Sequence, residues 1–125
     1  MHEDKLPPNY KNGSIWNSLK SAWRGFEHGV GERNFKIELA IGALAIALAF
    51  VFPLSRSEQI IIIVLAALVL GTELLNSALE VFLDLMVKEH STEVAKIKEL
   101  LAAAVFVFSI AALVIGLWIF GKVLF

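Results

Sequence analysis

The sequence predicts an all-α membrane protein, with an N-terminal amphipathic surface helix followed by three transmembrane helices. Three observations lead there. First, 58% of the 125 residues are hydrophobic and only 18% are charged, with a mean hydropathy of +0.73. Soluble domains run closer to half apolar and a quarter charged. Second, three stretches carry no charge at all: Leu39 to Ser55, Gln59 to Thr72 and Leu100 to Gly121. Third, Glu73, Asn76, Glu80 and Asp84 recur at helical spacing at the end of the second apolar run.

Residues 1–13 read as a flexible arm. They include Pro7, Pro8 and Asn9 and have no cleavable signal pattern. Ser14 is placed to cap a surface helix over 14–30. Ile15, Leu19, Ala22, Trp23 and Phe26 share one face of it, and Lys20, Arg24 and Glu27 lie on others. A helix of this kind lies in a lipid interface, as a simple anchor or as the wall of a lipid site. Gly29, Val30 and Gly31 are expected to break it.

The spans are expected at about 35–53, 57–87 and 98–121. A bilayer-crossing helix needs about 20 mainly apolar residues. At about 1.5 Å per residue the second span reaches about 46 Å, well beyond a hydrocarbon core of about 30 Å. Its acidic end therefore straddles the membrane boundary. The small residues of the first and third spans, among them Ala43, Ala47, Ala112 and Gly116, permit close helix contact in lipid.

Basic residues set the orientation. Lys20, Arg24, Arg33 and Lys36 precede or open the first span, and Lys88, Lys96 and Lys98 lie between the second and third. Only Arg56 sits in the link PLSRSE. The positive-inside rule then puts the N-terminus and the acidic stripe on the cytoplasmic side of the cell membrane. A net charge of −1 gives no sign of nucleic-acid binding, and the absence of cysteine removes thiol chemistry. His2, His28 and His90 share no ligand spacing.

Acids inside an apolar helix read as functional, facing a bundle interior or a polar cavity. The competing reading is a helix that has already left the membrane and shows a solvated face. Carboxylates with nearby lysines and an amide suit Mg²⁺–nucleotide chemistry, because Mg²⁺ takes one or two carboxylates plus phosphate oxygens. From the residues alone a lipid kinase, a proton-coupled transporter and a non-enzymatic membrane scaffold all stay open.

E-L-L-N-S-A-L-E at Glu73 to Glu80 resembles the signature of the prokaryotic diacylglycerol kinase and undecaprenol kinase family. Ala22-Trp23-Arg24-Gly25 and Glu32-Arg33-Asn34-Phe35-Lys36 resemble two further segments of it, and the resemblance covers about residues 14–121. It implies a single membrane-embedded kinase domain over 14–125, a homotrimer with sites between subunits, and transfer of the ATP γ-phosphate to the hydroxyl of a membrane lipid alcohol. By the same resemblance Glu73 matches the general base and Asn76 the amide beside it. Glu32 and Glu80 match the acids that hold the metal and nucleotide. Glu89 and His90 fall in the nucleotide-facing loop, and Lys98 matches the lysine that approaches the phosphates. The family reads Lys-Asp where this chain has Lys98-Glu99, which carries the nucleotide-side carboxylate one methylene further. It often has a His at the position of Ser91, so that an imidazole role there is shifted to His90 or lost. The E-R-N-F and E-L-L-N segments look more like the undecaprenol branch than the diacylglycerol branch.

Overall fold

The computed structural model describes residues 14–89 and 91–125. The arm expected over 1–13, and His90, lie outside the described residues. Four helices follow in order: α1 (Ile15–Val30), α2 (Arg33–Val51), α3 (Arg56–Met86) and α4 (Thr92–Leu124). The last three are long and apolar enough to cross a membrane.

Local signals set most of the ends. Ser14 caps α1, its hydroxyl accepting from the Asn17 amide at 3.1 Å. The break after α1 is narrower than expected. Gly29 and Val30 stay helical and only Gly31 and Glu32 interrupt the chain. α2 stops at Val51, two residues short of expectation, because Phe52 precedes Pro53 and turns extended (ψ 157°). Ser55 and Glu58 form a reciprocal capping box at the start of α3, with bonds of 3.2 and 2.9 Å. α4 begins at Thr92 rather than 98, with the Ser91 hydroxyl accepting from the Val94 amide at 3.1 Å. The apolar run marked the membrane segment there, but good helix formers in Glu93 to Lys98 carry the helix further into water. At about 1.5 Å per residue both α3 and α4 overreach a hydrocarbon core of about 30 Å.

α3 is the central element. It packs against α2 on one side and α4 on the other, while α1 rests on α2 and α3. At the Pro53 end the three spans converge on Ala49, Ile62 and Ile119. Phe52 and Phe120 meet edge to face there, and the Gln59 amide donates to the Ala49 carbonyl at 3.1 Å. Lys122 pairs with Glu58 at the same end, joining the close of α4 to the start of α3. At the opposite end Phe26 of α1 stacks edge to face on Phe35, which is 1% exposed.

Very little else is buried. Leu44, Phe106, Leu113 and Trp118 point outward from the spans. In water this surface would be untenable; in a bilayer it faces lipid or other helices. On α1, Ile15, Trp16, Leu19 and Trp23 are likewise exposed, with the Lys20 ammonium 5.5 Å from the centre of the Trp16 ring.

Candidate active site

The acidic stripe of α3 does not face solvent throughout. Glu73 is the one buried charged side chain among the described residues, at 5% exposure. Its burial follows from its register: it lies four residues beyond Val69 and eleven beyond Ile62, on the stripe that α3 turns toward the other spans. Glu32 and Glu80 lie close enough to act on it electrostatically. Glu38, from the second turn of α2, lies close enough to Glu73 for the two carboxyls to act on each other.

Glu32 occupies the cap position of α2 but makes no capping bond there. Its carboxylate turns instead to α3 and accepts a 2.6 Å hydrogen bond from the Ser77 hydroxyl. The α1–α2 corner comes near enough for this because Gly29 has no side chain. A Cβ at Gly29 would lie 2.5 Å from Leu74 Cδ2, next to Glu73 in the chain. The Asn76 amide nitrogen reaches Glu80 Oε1 at 3.4 Å, one turn along α3, while its Oδ1 is buried with no partner.

The structure thus brings Glu32, Glu73, Asn76 and Glu80 together at one end of the bundle. Among the described residues it does not bring in Glu89, Lys98 or Glu99. Lys98 forms an ion pair with Asp84 at 2.9 Å on the α3–α4 seam. Glu89 is exposed in the link after α3, and Glu99 is exposed beside Lys98 on α4. Two participants had no assigned role in the sequence reading. One is Glu38, an acid near the start of the first span. Its position immediately before the charge-free run, within the span expected over 35–53, was the available signal. Ser77 sits four residues after Glu73 on the same stripe, and the signal for it was that spacing.

Among the described residues no three acids or histidines converge tightly enough to cage a metal by themselves. Mg²⁺ needs only one or two protein carboxylates and takes its remaining ligands from water and phosphate. The donor set is all oxygen, and the orphaned Asn76 Oδ1 adds an acceptor on the same stripe.

Membrane-length helices, with the buried Glu73 and further acids beside it at one end, define an integral-membrane protein. The family pattern of prokaryotic diacylglycerol kinase matches residues 20–120, and the chain belongs to that family. It is 36% identical over 101 residues to a diacylglycerol kinase of Synechocystis sp., a match that covers 79% of this chain and 58% of that protein. It is 35% identical over 107 residues to an undecaprenol kinase of Bacillus subtilis, covering 85% of this chain and 87% of that one. The chain therefore spans little more than half of the first relative but nearly all of the second.

Proposed function

We propose that this chain is an ATP- and Mg²⁺-dependent lipid kinase that phosphorylates the hydroxyl of a membrane lipid alcohol. The observation that carries the reading is the burial of Glu73 at the end of a membrane-length helix, with Glu32 and Glu80 near it. Both relatives are named as lipid kinases. Undecaprenol is favoured over diacylglycerol as acceptor, because the undecaprenol kinase matches over nearly its whole length.

In this reading Glu73 takes the proton of the acceptor hydroxyl as its oxygen attacks the γ-phosphorus. The bond from that phosphorus to the β–γ bridging oxygen breaks, and ADP leaves. Glu32 and Glu80 would hold Mg²⁺, which supplies neutralisation of phosphate charge when bound. Asn76 orients Glu80 through its amide. Glu89, His90, Lys98 and Glu99 belong to the nucleotide side. Lys98 reaches the phosphates by exchanging its Asp84 partner for them, a small cost for an exposed pair.

The unit is residues 14–125, with α1 lying on the cytoplasmic face of the cell membrane. Arg33, Lys36, Lys88, Lys96 and Lys98 mark the Glu73 end as cytoplasmic by charge bias. The outward apolar faces of α2 and α4 support a homotrimer. The test incubates purified protein with labelled ATP, Mg²⁺ and each lipid alcohol in mixed micelles and identifies the product. Phosphorylated undecaprenol is expected. A folded preparation that phosphorylates no lipid alcohol, or that moves a solute across sealed vesicles without using ATP, would overturn the reading.

A further inference from the structure

At the membrane boundary opposite the Glu73 end, α3 and α4 enclose a notch of about 290 Å³. Its α3 side includes Glu58 and Ile61, and its α4 side includes Ile115, Trp118 and Lys122. Spacings of three and four residues put each set on one helical face. The charge pattern marks the mouth of the notch as the edge of the bilayer. Glu58 immediately precedes the charge-free run from Gln59 to Thr72, and Lys122 immediately follows the run from Leu100 to Gly121. Trp118 is exposed one turn inside Lys122, at the level where indoles gather beside lipid head groups. From Lys122 to Ile115 the wall descends about 10 Å toward the hydrocarbon. An ion pair spans the mouth, Lys122 donating to Glu58 Oε2. The Glu58 side chain is 18% exposed and that of Lys122 55%. Glu58 Oε1 accepts from the Ser55 amide at 2.9 Å. An ammonium carries three N–H donors, and one of them goes to Glu58.

We propose that this notch binds the head group of a phospholipid that bears a primary amine, with the phosphate on Lys122 and the ammonium on Glu58. Polar pockets between membrane helices are common seats for lipid head groups. The ion pair is neutral as a whole, so a head group of one sign meets a repelling partner beside the attracting one. A zwitterion laid antiparallel to the pair meets only attraction. Its phosphate oxygens accept from the free N–H groups of Lys122, and its amine donates to Glu58 Oε2. A carboxylate oxygen has two acceptor positions, so Oε2 takes this bond without giving up Lys122. A quaternary choline has no N–H to offer there. One acyl chain then follows Ile61, Ile115 and Trp118 into the bilayer. The rival reading is a plain clasp joining the end of α4 to the start of α3. A clasp accounts for the ion pair but not for the open, largely apolar notch beneath it. The site lies at the opposite membrane boundary from Glu73 and stands whether or not the chain is a kinase.

The test places the full-length protein in vesicles of phosphatidylcholine containing a small fraction of a lipid with brominated acyl chains, which quench a neighbouring indole. The chain has three tryptophans, and Trp16 and Trp23 lie on α1. The Trp118 signal is the part of the fluorescence that Trp118→Phe removes. Brominated phosphatidylethanolamine should be enriched about tenfold at Trp118 over its share of the bilayer, the contribution of one charged hydrogen bond. Brominated phosphatidylglycerol and phosphatidylcholine should quench only in proportion to their share. Glu58→Gln should reverse the preference. It abolishes enrichment of phosphatidylethanolamine and leaves Lys122 unopposed, so that phosphatidylglycerol becomes the enriched lipid. Gln also closes a capping box, so the start of α3 is kept. Lys122→Ala should remove enrichment of every head group. Equal quenching by all three lipids in wild type identifies the pair as a clasp and overturns the proposal. Enrichment of phosphatidylglycerol in wild type overturns it as well, since the site would then be a bare cation. A Trp118 signal that no brominated lipid quenches would put a second copy of the chain over the notch and exclude lipid from it.

Discussion

The Ser77 hydroxyl donates a 2.6 Å hydrogen bond to Glu32 Oε2, tying the middle of α3 to the corner between α1 and α2. The two residues are far apart in the chain, and this is the polar contact that carries Glu32 to the acid cluster. It also explains why Glu32 leaves the amides of its own helix start uncapped. Ser77→Ala should leave Glu32 free to swing into solvent. A hydrogen bond to a charged group contributes about 1.5–3 kcal/mol. Exposure of this pair puts the effect at the low end, about a tenfold rise in the KM for Mg-ATP. Ser77→Thr, which keeps the hydroxyl, should recover most of the affinity. Equal kinetics for wild type and Ser77→Ala would show that Glu32 is held by other means.

Glu73→Gln should lower kcat about 10²–10⁴-fold, the usual contribution of a positioned base. Nucleotide affinity should change little, because the amide is nearly isosteric and Glu73 is assigned no phosphate contact. Helicity by circular dichroism should match wild type. A variant that turns over normally removes the base from this position.

Glu38→Ala deletes the α2 neighbour that acts on the Glu73 carboxyl. The base then loses a positional restraint, and misplacement by about 1 Å costs about 10²-fold where geometry limits the rate. The expectation is a fall in kcat of one to two orders of magnitude, with the KM for ATP unchanged. A loss in ATP affinity alone would place Glu38 on the nucleotide side.

Asp84→Asn releases Lys98 from its ion pair. The pair is exposed and contributes at most about 1 kcal/mol to stability. Thermal stability should therefore hold, while the KM for ATP falls by a few-fold as Lys98 becomes available to phosphate. Lys98→Met should raise it in both backgrounds. If Asp84→Asn weakens ATP binding instead, Asp84 is itself a ligand and Lys98 is only its counter-ion.

Glu99 sits exposed beside Lys98 on α4, at the position that the sequence resemblance pairs with an Asp. Glu99→Gln should weaken ATP binding and Glu99→Asp should strengthen it, measured as KM at saturating lipid. Insensitivity to both changes would identify Glu99 as a solvated acid near the helix start, favourable to the helix dipole and nothing more.

The helices were legible from one-dimensional pattern. Charge-free runs of membrane length, Ser14 and Ser55 as caps and Pro53 as a stop are local features, and local physics decides where such helices begin and end. The acids of α3 were legible too, because a period near 3.6 places Glu73, Asn76 and Glu80 on one stripe without reference to the rest of the chain. Pattern cannot show which acids share a space. Glu32 and Ser77 meet only because Gly29 lets the α1–α2 corner approach Leu74, a contact between distant segments. Glu38 comes near Glu73, and Lys98 meets Asp84, through the relative rotation of packed helices. That rotation is set by small and large side chains interdigitating along the α2–α3 and α3–α4 seams. The sequence by itself therefore determined the helices, their membrane lengths and the acidic stripe. Tertiary packing decided which carboxyls face one another, since that depends on distances between segments that no single helix contains.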